Sequence, residues 1–300
     1  MSRGSGASRS SHARIRIPAV TIREIACLLT GLVFVAVCRA GQSPPAQKVT
    51  FEVGVVSQEV VAQRMKRLRA KDAEREAELK AMFEEAGCAA DRIAEETVRR
   101  KDPPNIICTL PGATTSLIIV SAHFDHAPLG DGAADDWSGA SLLPSLYEAL
   151  KTSPRKHTFQ LIGFTDEEKG LVGSRFHVTH LAKEHLSSIK AVVNLECLGL
   201  SSTEVWVHAA DPRLLGDLAR LARAVHMPVQ AVDIQEVGND DTQPFRDKKI
   251  PTITIHSLTQ QTLPILHSSK DNLAAVKVQY LFESFRLAAQ YLAFLDQTLD

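Results

Sequence analysis

Ser116–Leu150 reads SLIIVSAHFDHAPLGDGAADDWSGASLLPSLYEAL. The stretch opens on a short run that is apolar throughout, as a strand buried on both faces has to be. It closes on a helical pattern from Ser138 to Leu150. Between the two lie His123, Asp125, Asp131, Asp135 and Asp136, with Gly130 and Gly132 to turn the chain. A buried strand handed to a helix through a polar loop is the repeating unit of an open α/β sheet. In such sheets ligands bind beyond the carboxyl ends of the strands.

The same unit recurs on either side. Apolar or β-branched runs at Ile106–Leu110, Phe159–Phe164, Ala191–Leu195, Glu204–Val207 and Thr252–Ile255 alternate with helical patterns at Leu171–His185, Pro212–Ala224 and Val276–Thr298. This alternation predicts an α/β fold with a mostly parallel sheet and helices on both faces. Upstream, Ser57 caps a long helical stretch that stops at Gly87. Its apolar stripe fades near Lys71–Glu76, which allows two helices, and its basic run from Arg64 to Arg75 reads as a solvated face.

Composition narrows the class. With 44 % hydrophobic and 23 % charged residues in 300, the chain is neither disordered, collagen-like nor a disulfide scaffold. The net charge of −1 averages two unlike parts. Residues 1–40 hold six arginines against Glu24, so the remainder carries −6. An acidic body has no electrostatic case for nucleic acid. Ile25–Cys38, IACLLTGLVFVAVC, is uncharged and follows basic residues, with Cys38-Arg39-Ala40 as a loose cleavage site. That pattern predicts a secretory signal peptide over 1–40, the alternative being an uncleaved anchor as the one membrane contact. Residues 41–50 then read as a linker and 51–300 as a single catalytic domain, secreted or periplasmic. Beyond the leader three cysteines remain, too few for a framework, although Cys88 and Cys108 could pair.

The polar residues at the strand ends carry the chemistry. His123 ends one strand, with Asp125 placed to hold its other ring nitrogen. The loop before Ser138 offers aspartates, which suit a cation rather than a phosphate. Glu167 and Glu168 follow FQLIGF, Glu196 closes AVVNL, and His267 follows Thr252–Ile255. Taken singly, each reads as a capping residue, a solvated turn or a core histidine. Together, His123, Asp135, Glu168, Glu196 and His267 form a nitrogen and carboxylate set without thiolate, which suits zinc. Three carboxylates against two divalent ions leave one positive charge, which a shared hydroxide neutralises, so the charges favour two ions.

HFDH, GAADDWSG, TDEEKGLVGS, NLECLG, DDTQPF and LHSSKDN, in this order from Asn105 to Asn272, resemble the co-catalytic zinc aminopeptidases secreted by bacteria, relatives of glutamate carboxypeptidase and glutaminyl cyclase. The resemblance implies a three-layer α/β/α sandwich with a central mixed, mostly parallel sheet. It implies that Asp135 bridges two Zn2+, that His123 and Glu196 complete one ion, and that Glu168 and His267 complete the other. Glu167 would be the general base toward a water shared by the ions, and Asp125 the orienting partner of His123. A cis peptide would join Asp135 to Asp136, and Asp241 would lie near the substrate's amine. Three positions depart from the pattern. Glu196 stands where Asp is commoner, Asp136 where Asn is commoner, and Leu266 where Tyr or Trp often precedes the last histidine. The donor for the developing oxyanion is therefore unidentified.

The expected activity is hydrolysis of N-terminal residues from a peptide substrate. Two alternatives remain: a glutaminyl-peptide cyclotransferase with a single zinc, and a non-catalytic binding module on the same fold. His177, His180 and His185 form no HExxH and read as a polar helix face, while His126 and His256 read as pocket lining. Ser138 lacks the glycine that a nucleophile elbow needs at 136, and Trp137 and Pro144 read as packing residues.

Overall fold

Four three-residue strands near the N-terminus form two small sheets: β1 (Arg14–Arg16) with β4 (Glu52–Gly54), and β2 (Val20–Ile22) with β3 (Gln47–Val49). The computed structural model describes residues 14–16, 20–22, 47–232 and 238–300. Ile25–Cys38 and residues 41–46 of the expected linker lie outside these. Two stretches of the expected leader are strands: β1 pairs with β4 of the expected domain, and β2 with β3 of the expected linker.

Ser57 caps α1 (Gln58–Met65) by accepting from Val60 N, and α2 (Asp72–Glu85) follows. The long helical stretch is thus two helices, broken at Lys66–Lys71, where Arg67 and Arg69 fold back onto Glu78. The expectation of a solvated basic face is corrected here. Arg64 and Arg75 are buried. Arg64 binds Ser145 Oγ at 2.8 Å and Glu148 at 2.7 Å. Arg75 donates to three backbone carbonyls: Arg69 at 2.8 Å, Phe124 at 3.2 Å, and Asp131. A guanidinium can be buried when its fork of donors meets fixed acceptors, and sequence periodicity does not show those acceptors.

The main sheet then forms from β5 (Ile93–Glu96), β6 (Asn105–Leu110), β7 (Leu117–His123), β8 (Thr158–Phe164), β9 (Ile189–Glu196), β10 (Glu204–Trp206), β11 (Gln230–Val232) and β12 (Thr252–His256). Its spatial order is β11-β10-β12-β9-β7-β8-β6-β5. The centre, β12-β9-β7-β8, is parallel, and so is β10 with β11. Antiparallel pairing appears at β5-β6, β6-β8 and β10-β12. The chain therefore has the expected mixed α/β sheet.

Between the strands lie α3 (Ser138–Leu150), α4 (Val172–His180), α5 (Lys183–Ser188), α6 (Pro212–Ala224), α7 (Gln243–Asp247) and α8 (Val278–Thr298). The pattern read as one helix over Leu171–His185 is two, because Leu181 and Ala182 are extended. Strand alternation sorts the core into two sides. Ile118, Val120, Val193, Leu195 and Ile255 pack with α1, α2, α3, α6 and α8, while Ile119, Ile162, Phe164 and Val192 pack with α4, α5 and α7. Three layers result. Cys88 and Cys108 form a disulfide that ties the segment after α2 to β6. Among the described residues no helix is long and apolar enough to cross a membrane.

Candidate active site

The carboxyl ends of β7, β8, β9 and β12 open on one cavity of about 200 Å³, lined in part by Asp135, Glu167, Glu168, Glu196 and His267. Each arrives by a different route. His123 is the last residue of β7 and Glu196 the last of β9. Glu167 and Glu168 sit in the turn after β8, and His267 in the loop after β12.

Asp135 lies in the turn before α3, and its peptide bond to Asp136 is cis. Its Oδ1 is 3.1 Å from His123 Nε2, and its Oδ2 is 3.2 Å from His267 Nε2. The His123 nitrogen is also 3.4 Å from Glu196 Oε1, and the His267 nitrogen 3.0 Å from Glu168 Oε2. One carboxylate thus faces two nitrogen–carboxylate pairs, one on each oxygen. His123, Asp136 and Glu196 offer atoms close enough to hold a cation, as do Asp135, Glu168 and His267. Asp136 in the first group, where Asp135 was expected, and a third group, Asp135 with Glu196 and Cys197, were not foreseen. Glu168 Oε1 is buried without a hydrogen-bond partner, as expected of an oxygen kept for a ligand.

The supports of these groups are specific. Asp125 lies 3.4 Å from His123 Nδ1, and its two oxygens accept the backbone N–H groups of Glu167 at 2.9 Å and Glu168 at 3.2 Å. It therefore lies beside the histidine it was expected to orient, and it also holds the turn that carries both glutamates. Asp271, four residues after His267, accepts from Ala134 N at 2.7 Å and Asp135 N at 3.3 Å. Asp136 accepts three backbone N–H groups: His123 at 3.3 Å, Gly139 at 3.0 Å and Cys197 at 3.1 Å. An Asn could accept only through its carbonyl oxygen, whereas Asp presents two acceptors. Gly139 leaves room for that carboxylate, since a Cβ there would come within 2.6 Å of it and 2.9 Å of Leu195 O.

Electrostatics reflect the crowding of acids. Burial raises Glu168 to about 7, with the Asp135 charge adding to the effect. Burial also pushes Glu167 up, and the neighbouring carboxylates hold it there. Its bond to Asp135 and the charge of Glu168 raise His267 to about 9. Burial would raise Asp135 too, but its hydrogen bonds to both imidazoles hold it below the carboxylate range.

The remaining expected residues fall out as follows. Asp241 is fully buried with neither oxygen partnered, and burial pushes it up to about 8. Its neighbour Asp240, not Asp241, lines the cavity. His256 lines it too, and burial lowers its imidazole to about 4. His126 pairs with Asp72 at 2.8 Å, and His177 with Glu96 at 3.1 Å. Ser138 donates to Ala134 O and accepts from Leu198 N, both at 2.7 Å, so its hydroxyl is structural. Sequence reading missed Arg75 and the double role of Asp125. The spacing of Asp271 from His267 was the one visible hint of its part.

Comparisons with known proteins follow the same outline. The family model described as Peptidase family M28 matches residues 105–292. Aminopeptidase YwaD of Bacillus subtilis is 25 % identical over 199 residues, 64 % of this chain and 42 % of its own. The Legionella pneumophila LapA aminopeptidase superposes with a TM-score of 0.70 at 22 % identity, over 82 % of this chain and 73 % of its own. An Acidobacteriales glutaminyl cyclase superposes with a TM-score of 0.66 at 19 % identity, over 80 % of this chain and 93 % of its own. The chain spans less than half the length of the curated relatives it matches.

Proposed function

Since this chain belongs to peptidase family M28, we propose that it is an exported zinc aminopeptidase that removes N-terminal residues from peptides. The observation that carries this reading is Asp135, whose two oxygens serve separate nitrogen–carboxylate pairs at 3.1 and 3.2 Å. Such a set fits two zinc ions in nitrogen and oxygen coordination, with His123 and Glu196 on one and Glu168 and His267 on the other. Zinc held there supplies Lewis acidity to a carbonyl and lowers the pKa of a water toward ~7.

The chain's own groups do the rest. Asp125 holds the backbone of Glu167 at 2.9 Å, and Glu167 lines the cavity. There it takes the proton of the attacking water and delivers it to the departing amine. Asp240 in the wall supplies negative charge for the substrate's α-ammonium. Leu258 and Leu266 make part of the wall apolar, which favours an apolar first residue. Export is supported by the leader pattern and by the Cys88–Cys108 disulfide, a bond that persists in oxidising compartments.

A second reading rests on the glutaminyl cyclase structures, which this chain matches over 93 % and 96 % of their length. Zinc per chain on purified protein, with turnover of aminoacyl-anilides and of Gln-peptides, separates the two. Two zincs with anilide hydrolysis are expected. One zinc with pyroglutamate formation would make the protein a cyclotransferase, and neither metal nor turnover would make it a binding module.

A further inference from the structure

The polar wall of the cavity is dominated by carboxylates, yet a hydrolase also needs donors where the carbonyl oxygen gathers charge. Two buried N–H groups in this wall have no partner: His256 Nε2 and Trp206 Nε1. The tautomer of His256 is set by its surroundings. Its Nδ1 accepts the backbone N–H of Leu258 at 2.9 Å, so the single ring proton belongs to Nε2. His256 is the last residue of β12, and the parallel register places it opposite Glu196 of β9. Donor and carboxylate therefore rise from one face of the sheet at one level. In the antiparallel pairing of β10 with β12, Glu204 stands opposite His256, and Trp206, two residues on, shares that face. A buried donor left unmatched in a protein interior is rare and marks a place kept for a ligand acceptor.

We propose that His256 donates its Nε2–H to the acyl oxygen of the bound substrate, with Trp206 Nε1–H as a second donor to the same ligand. The proposal rests on the hydrolase reading above. Attack joins the water oxygen to the carbonyl carbon and moves the C=O electron pair onto the acyl oxygen. That pair returns as the C–N bond breaks. His256 keeps its proton throughout and only strengthens its hydrogen bond as charge builds, so its effect falls on kcat. His256 thus fills the part that Leu266 leaves without a donor.

Two substitutions divide the ring's functions. H256N keeps an acceptor near Nδ1 for Leu258 and removes the cavity donor, whereas H256Q places an amide N–H near Nε2. With zinc content and melting midpoint unchanged, H256N is expected to lose about 10²-fold in kcat on an aminoacyl-anilide, and H256Q to recover most of it. Affinity for L-leucine, whose carboxylate stands in for the acyl oxygen, should fall in H256N, while affinity for isopentylamine, which has no such oxygen, should not. Full kcat in H256N, or equal loss for both ligands, overturns the proposal. If the wild-type protein hydrolyses nothing, the hydrolase reading fails and the ligand pair alone decides: selective loss supports the donor, while equal loss, no loss or no binding overturns it. Should H256N not fold, histidine-labelled wild-type protein still answers. The His256 Nε2–H resonance should move with L-leucine and stay with isopentylamine, and no movement overturns the assignment.

Discussion

At the residue scale, Asp136 and Asp125 each tie separate segments of the site together. The buried Asp136 carboxylate gathers amides from the end of β7, the start of α3 and the end of β9. Asp125 reaches from beside His123 to the turn of Glu167 and Glu168. Neither side chain needs to touch substrate for the site to depend on it. Glu167 is different, since its backbone is anchored and its side chain faces the cavity. We therefore expect E167Q to retain its zinc and to lose about 10²–10⁴-fold in kcat. Stopped assays beside metal analysis check this, and wild-type turnover in E167Q would remove Glu167 from the chemistry. His123, Asp135, Glu168, Glu196 and His267 stood out as candidates because each lies at or beyond the end of an apolar run. Asp136 and His256 were not legible as supports, because an acceptor or donor role depends on which amides the fold brings near.

Among the elements, α2 carries the least visible contribution. Its Arg75 lies beneath the loop from Phe124 to Asp131 and satisfies carbonyls at both ends. Replacing it by an apolar residue of similar length, R75M, leaves the buried Phe124 carbonyl unpaired and frees the partly covered one of Asp131. A loss of about 1–3 kcal/mol in unfolding free energy is expected, together with faster zinc loss to a chelator, because His123 and Asp135 flank that loop. Denaturant unfolding and chelator competition measure the two effects, and an R75M protein matching wild type in both would show the contact to be incidental. The helical period revealed α1 and α2 but not this burial, since a charged run looks the same whether its partners are water or carbonyls. Elements were legible where pattern was long, as in α3, α6 and α8. The three-residue β11 and the five-residue α7 are too short to show a period, and the α4–α5 break turns on the extended backbone at Leu181.

At the scale of the whole molecule, the sheet centre provides the site and the periphery provides durability. The Cys88–Cys108 disulfide spans 20 residues and joins the end of the α2 segment to β6 near the sheet edge. By loop-closure entropy, the C88S/C108S pair should cost about 3 kcal/mol. Since neither cysteine lines the cavity, kcat/KM well below the melting midpoint should not change. Chemical denaturation of oxidised, reduced and substituted protein tests this, and a fall in activity with no fall in stability would be the contrary result. The three-layer outline was readable from alternating periods. The bond was open in the sequence, because two cysteines 20 apart say nothing of whether a loop and a strand meet. The grip of Asp125 on both the histidine and the glutamate turn also bears on inheritance. If Glu167 carries the proton as proposed, a lineage that relaxed this carboxylate to loosen a bound ion would displace Glu167 in the same step. On that proposal, descendants of this architecture can adjust the pocket wall freely, but they keep or abandon metal and proton transfer together.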